Sequence, residues 1–248
     1  MRALLPEPVP DVDVHEFYAT GWVDRGGLRV DFVTAVDGAA HAAGRSAGLQ
    51  TPGDNRVFAA QRDLADGVLV GAGTAVAEGY RAVRLTEQRL AQRRRFGLGD
   101  VLPIAVVSRH LNLDPTLALF TEAGPAARTV VVTSAAAPAE RRAALAEVAD
   151  VLICGEDGVD LAQARRELAE RGWRRILAEG GPTLFADLVA AGVVDELCLS
   201  LTPFLVGPGP ITRILAGPDA WPELERLELA GVLEEDGALF LRYRLLGR

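Results

Sequence analysis

The chain has 248 residues, 49% apolar and 24% charged, a globular composition that excludes a disordered or low-complexity protein. At ~150 residues per domain it makes one large domain or two small ones, and such a length buries roughly 70–75% of its unfolded surface without a disulfide or metal staple. Its 26 basic residues against 34 acidic ones give a net charge of −8, which argues against sequence-independent nucleic-acid binding and against an anionic membrane surface.

The first residues, Met1 to Pro6, are too short and too soon broken by proline to form a signal peptide, and no stretch approaches ~18 uninterrupted apolar residues. The sequence therefore predicts a soluble, cytoplasmic protein. A proline-rich leader over 1–27 (Pro6, Pro8, Pro10) precedes a strand from Leu28 to Val36. Asp54 is the expected N-cap of a helix running through Phe58, Leu64 and Ala65. Gly67 to Gly71 reads as a short buried strand, and Thr86 caps a helix from Glu87 to Phe96. Strands recur at 103–107, 129–133, 151–154 and 175–178, with helices near 139–148 and 161–171 between the last three and another over 182–191. The tail alternates over 196–201 and 239–245, and Asp236-Gly237 is a hairpin turn.

Near-continuous apolar strands alternating with helices predict an α/β fold: a mostly parallel central sheet flanked by helices, with antiparallel C-terminal strands. No repeat, long linker or composition break divides 28–248, which is read as a single domain.

Several chemistries are excluded. The chain contains no lysine, so lysine Schiff bases, pyridoxal phosphate attachment and a Walker-type phosphate loop are absent. Cys154 and Cys198 sit in apolar runs and read as small buried residues. His15, His41 and His110 are scattered, so no metal site is expected. Arg93-Arg94-Arg95 reads as a solvated helix face.

Four strand ends carry chemistry. Gly71-Ala72-Gly73-Thr74 follows a strand, and its glycines let backbone N–H groups approach a phosphate; Val76 stands where a Rossmann fingerprint needs glycine. Glu179-Gly180-Gly181-Pro182-Thr183 ends a buried strand on a carboxylate and opens a helix with proline in its first turn. Asp37-Gly38 ends the first strand, and Ser108-Arg109 ends another with a guanidinium suited to phosphate. Tyr80, Arg81 and Arg84 follow the first glycine turn. Together these features point to a nucleotide cofactor with an extra phosphate, bound across the sheet edge.

The ordered set Val36-Asp37-Gly38, Asp54, Asp66 to Thr74, Ala178 to Pro182, Asp195-Glu196-Leu197 and Pro203 to Gly207 resembles the riboflavin-biosynthesis pyrimidine reductase family, the C-terminal half of the bifunctional deaminase–reductase. The resemblance spans Leu28 to Leu246 and implies a dihydrofolate-reductase-like fold, NADPH as cofactor and a homodimer. It implies hydride transfer to the ribose C1′ of a phosphoribosylaminopyrimidine. By that resemblance, Gly71, Gly73, Thr74, Gly180, Gly181, Pro182 and Thr183 would hold the nicotinamide side and pyrophosphate. Ser108 and Arg109 would meet the 2′-phosphate, Arg84 the substrate phosphate, and Asp37 and Glu179 the reacting centre. The chain departs from the family in three ways. The deaminase zinc signature is missing, Asp31 stands where bacterial members often carry lysine, and Ala39 replaces a long cation. A paralogous reductase of another pterin- or folate-like heterocycle, or a non-catalytic NADPH-binding module, therefore remains open.

Overall fold

The computed structural model describes residues 1–217 and 224–246. Its strands are β1 (Arg2–Leu5), β2 (Gly27–Ala35), β3 (Gly67–Gly71), β4 (Ile104–Val107), β5 (Val130–Thr133), β6 (Asp150–Ile153), β7 (Arg175–Ala178), β8 (Glu196–Thr202), β9 (Leu227–Glu235) and β10 (Ala238–Leu245). The helices are α1 (Val14–Ala19), α2 (Trp22–Arg25), α3 (Pro52–Asp63), α4 (Ala72–Ala77), α5 (Glu87–Arg95), α6 (Ala118–Thr121), α7 (Ala139–Ala146), α8 (Leu161–Glu170) and α9 (Pro182–Ala190). All strands join one sheet in the order β1-β9-β10-β8-β2-β7-β3-β4-β5-β6. The run from β8 to β6 is parallel, and β10, β9 and β1 add antiparallel pairings at one end. This is the expected mostly parallel sheet with antiparallel C-terminal strands.

Its physical cause is visible in β3 and β5. Val68, Val70 and Val131 pack into the core on one face, while Leu69, Val130 and Val132 pack into the core on the other. A strand buried on both faces needs this unbroken apolar run, and helices on each side supply the cover. Gly67 is the close-packing point: a Cβ there would lie 2.2 Å from the Trp173 ring. Cys154 and Cys198 are buried free thiols. The Asp236-Gly237 turn joins β9 to β10 with both residues at positive φ, 51° and 80°.

The proline-rich leader packs on the domain: β1 pairs with β9, and α1 and α2 place Tyr18 and Trp22 in the core. Two expectations need correction. The N-cap of α3 is Thr51, whose side chain accepts from the Asp54 N–H at 3.1 Å, with Pro52 in the first turn. Asp54 lies inside the helix and is buried. Arg93 is not solvated; only 1% exposed, it donates to the carbonyls of Ala65, Gly99 and Val101 at 2.7–2.8 Å and reaches those of Arg62 and Asp63. Its run-mates behave as expected, with exposed Arg94 paired to Asp100 and exposed Arg95 to Asp13 and Glu16.

Candidate active site

β2, β7, β3 and β4 run parallel, so their carboxyl ends at Ala35, Ala178, Gly71 and Val107 share one edge of the sheet. That edge is where open α/β sheets bind ligands, and two cavities open on it. The larger, ≈ 1080 Å³, is lined by Gly71, Gly73, Thr74, Ser108, Arg109, Gly181, Pro182 and Thr183. The smaller, ≈ 430 Å³, is lined by Asp31, Asp54, Phe58, Arg62, Tyr80, Arg81, Arg84, Glu179 and Gly180, among others. Thr74, Gly181 and Pro182 line both, so the cavities meet where the two glycine turns touch.

The turns are stitched together by backbone. Gly71 N–H donates to the Gly180 carbonyl at 2.9 Å, and Glu179 N–H donates to the Leu69 carbonyl at 2.9 Å. The Gly180–Gly181 peptide is cis, and Gly180 has φ +94°. A Cβ on Gly181 would lie 2.3 Å from Thr74 Oγ1, whereas one on Gly73 would meet nothing within 4 Å. Glycine at 181 lets two loops touch. Glycine at 73 leaves backbone bare to the larger cleft. Farther along that cleft Ser108 Oγ accepts the Leu111 N–H at 3.0 Å, and exposed Arg109 makes no hydrogen bond or ion pair among the described residues.

The smaller cavity is a wall of charge. Helix α3 presents Asp54, Phe58 and Arg62 at four-residue spacing, hence on one face. Arg62 donates from Nε and Nη2 to the two oxygens of Glu179, 2.6 Å each, and the Tyr80 hydroxyl donates to Glu179 Oε2 at 2.8 Å. Arg62 also stacks over the Phe58 ring at 4.5 Å. Burial alone would lower the Arg62 pKa, but the charge of Glu179 holds it above its ordinary value. Burial, then the Glu179 charge, push the Tyr80 hydroxyl well up. Burial also raises Asp54, against a hydrogen bond with Ser200.

The structure brings Gly71, Gly73, Thr74, Ser108, Arg109, Gly181, Pro182 and Thr183 to the larger cleft and Glu179, Gly180 and Arg84 to the smaller cavity. Arg84 is exposed on the rim, 3.7 Å from Glu122. Asp37 lines neither of these cavities. β2 stops at Ala35, and the Asp37 carboxylate accepts the N–H groups of Val206 at 2.8 Å and Gly207 at 3.0 Å. Those bonds hold its pKa below the usual range, Gly207 contributing most. Asp37 thus ties the β2 turn to the 204–207 loop. Arg62 and Asp31 are cavity residues that motif reading did not select; the four-residue spacing from Asp54 was the available signal for Arg62.

The family model of the RibD C-terminal domain matches residues 27–236. The 2,5-diamino-6-ribosylamino-4(3H)-pyrimidinone 5′-phosphate reductase of Methanothermobacter thermautotrophicus is 32% identical over 197 residues, covering 77% of this chain and 85% of that protein. The enzyme of the same name from Archaeoglobus fulgidus is 29% identical over 154 residues, 62% of this chain and 69% of that one. In fold, the chain is similar to a pyrimidine reductase-like protein from Corynebacterium diphtheriae, with TM-score 0.83, 24% identity, and coverage of 96% of this chain and 100% of that one. With the glycine turns, the paired cavities and a family model that spans the domain, the chain belongs to the RibD C-terminal domain family.

Proposed function

We propose that the chain is an NADPH-dependent reductase that acts on a ribosylaminopyrimidine 5′-phosphate in riboflavin biosynthesis. The observation that carries this reading is the shared wall of Thr74, Gly181 and Pro182 between the larger cleft and the smaller cavity. A dinucleotide suits the cleft because Gly73 offers bare backbone and Arg109 a guanidinium unpaired among the described residues for a 2′-phosphate. Gly71, Gly73, Thr74, Gly181, Pro182 and Thr183 would hold the nicotinamide and pyrophosphate, with Gly180 beside the substrate. When bound, NADPH supplies a hydride.

The protein's own work is orientation and electrostatics. Glu179 is a positioning residue: with both oxygens committed, it fixes Arg62, whose Nη1 is left for a substrate oxygen. Arg81 and Arg84, at the exposed rim, suit the 5′-phosphate. A cytoplasmic homodimer accords with this reading. The dimer is supported by exposed Val36, Phe204, Leu205, Val206 and Ile211 around the Asp37 tether.

A second reading, reduction of another pterin- or folate-like heterocycle, is favoured by the acidic wall of Asp31 and Asp54 where the resemblance expects a lysine. Titration calorimetry with NADPH and NADH, followed by NADPH oxidation with the phosphoribosylaminopyrimidine and with dihydrofolate, tests both readings. Pyrimidine turnover is the expected result. Arg109→Ala should raise the NADPH dissociation constant about tenfold and leave that for NADH unchanged. NADPH binding without turnover of either substrate would reduce the chain to a binding module.

A further inference from the structure

Asp31 is half-buried on β2 and lines the smaller cavity beside Arg62 and Glu179. Its Oδ1 accepts from Nε2 of the fully buried Gln61 at 2.7 Å. The charged or titratable groups around it are Asp54 and Arg62 from α3, Glu179 at the end of β7, Tyr18 from α1, Cys198 from β8 and Arg29 on its own strand. Both cations are turned to other carboxylates: Arg62 donates to both oxygens of Glu179 at 2.6 Å, and Arg29 Nε and Nη2 donate to Glu196 Oε2 at 2.9 and 2.5 Å, its Nη1 having no hydrogen-bond partner among the described residues. An ionised Asp31 would bear both desolvation and the repulsion of neighbouring carboxylates. Burial first, then the Asp54 charge, push its pKa up to about 8, so near neutrality it keeps its proton. Because Oδ1 accepts an amide N–H, the acid hydrogen belongs on Oδ2.

The other cavity carboxyls are worse placed to give a proton. Both Glu179 oxygens accept from Arg62 and Tyr80, Asp54 is 4% exposed and bonded to Ser200, and Glu78 Oε1 accepts the Ser46 N–H at 3.0 Å.

We propose that Asp31 is the proton donor of the reduction, a catalytic residue that hands its acid hydrogen to the substrate nitrogen as hydride reaches the adjacent carbon. This rests on the reductase reading above. In the ring-opened imine form of the ribosylamine, the C1′–H bond forms with the hydride electron pair. The C=N π pair moves onto nitrogen, which bonds the proton from Asp31 Oδ2. The imine is reduced to an amine, NADPH is oxidised to NADP⁺, and the Asp31 carboxylate recovers a proton from solvent.

The test compares wild type, Asp31→Asn and Asp31→Glu, each with NADPH bound. Single-turnover reduction of the phosphoribosylaminopyrimidine should slow by about 10²–10³-fold in Asp31→Asn, with NADPH affinity unchanged. Asp31→Glu, which keeps an acid, should recover part of that rate. The wild-type rate should fall as pH rises through about 8, and this limb should vanish in Asp31→Asn. Infrared difference spectra of wild type against Asp31→Asn, without substrate, should show a protonated-carboxyl band at neutral pH that disappears at alkaline pH. An Asp31→Asn rate within twofold of wild type, or an unchanged alkaline limb, overturns the proposal. If wild type binds NADPH but leaves the pyrimidine unreduced, the reductase reading fails by itself. The infrared titration still decides Asp31 in that case: a protonated carboxyl supports it as an acid, and an ionised one at neutral pH overturns it.

Discussion

Both oxygens of Glu179 are taken by one guanidinium, that of Arg62, with two contacts of 2.6 Å. Glu179 is 1% exposed and Arg62 20%, so neither has water enough to replace the other. Breaking such a pair from one side leaves a buried charge unpaired, at a cost of about 3–5 kcal/mol. Glu179→Gln and Arg62→Met should therefore each lower stability by about that amount in urea unfolding. The Glu179→Gln/Arg62→Met double variant should lose clearly less than the sum of the two. Strictly additive losses would show that the pair is not an energetic unit.

The closest approach between the two glycine turns gives a second prediction. Gly181→Ala puts a methyl group 2.3 Å from Thr74 Oγ1, so the turns must part. Since both residues line the larger cleft, NADPH affinity should fall at least tenfold, or about 1.4 kcal/mol. Removing the hydroxyl relieves the clash, because Thr74 Cβ lies at 3.7 Å, an ordinary contact. Gly181→Ala/Thr74→Ala should therefore bind NADPH more tightly than Gly181→Ala alone. Calorimetry on the three proteins decides this.

The parts of the site made by local backbone chemistry were legible in the sequence. Glycine turns after apolar strands, and proline opening α9, depend on neighbouring residues alone, and the parallel sheet brings those turns to one edge. The Asp37 tether was not legible, because an Asp-Gly turn looks the same whether its carboxylate faces a ligand or a loop. Here the partners, Val206 and Gly207, lie some 170 residues away in the chain. Asp31 was visible only as a missing lysine, since burial and the Asp54 charge, rather than adjacent residues, raise its pKa. The pairing of the leader was illegible for a similar reason: β1 is held by β9 at the opposite end of the sequence.

Arg93 shows the same limit and supplies a third prediction. Read within Arg93-Arg94-Arg95 it looks like surface, yet its guanidinium donates to carbonyls at the end of α3 and in the loop after α5. Burial lowers its pKa to about 10, so it stays charged at neutral pH. Arg93→Met should cost about 3 kcal/mol, because carbonyl groups at the end of α3 lose their donor. Arg93→Lys should recover part of that loss, as an ammonium has three donors against the five of the fork. Arg94→Met, at an exposed pair, should change stability by less than about 1 kcal/mol. Equal effects at positions 93 and 94 would mean that the carbonyl cluster contributes nothing.

Glu196 and Asp31 should bend the stability–pH profile in opposite directions. Burial alone would raise the pKa of Glu196, but the charges of Arg29 and Arg242 outweigh it and hold the carboxyl below its ordinary value. A depressed folded-state pKa gives stability that is complete above the unfolded glutamate value, ~4.3, and is lost as pH falls toward the folded one. The folded pKa of Asp31 is raised to about 8. Its contribution is therefore complete below the unfolded aspartate value, ~3.9, and is lost as pH rises through the folded one. Glu196→Gln should be less stable at neutral pH by about 3 kcal/mol and should lose stability less steeply on acidification. Asp31→Asn should leave the acid side alone and flatten the decline between about pH 4 and pH 8. Urea unfolding across that range reads both slopes. Were Asp31→Asn to keep the wild-type decline on the alkaline side, the proton would have to be assigned to another group.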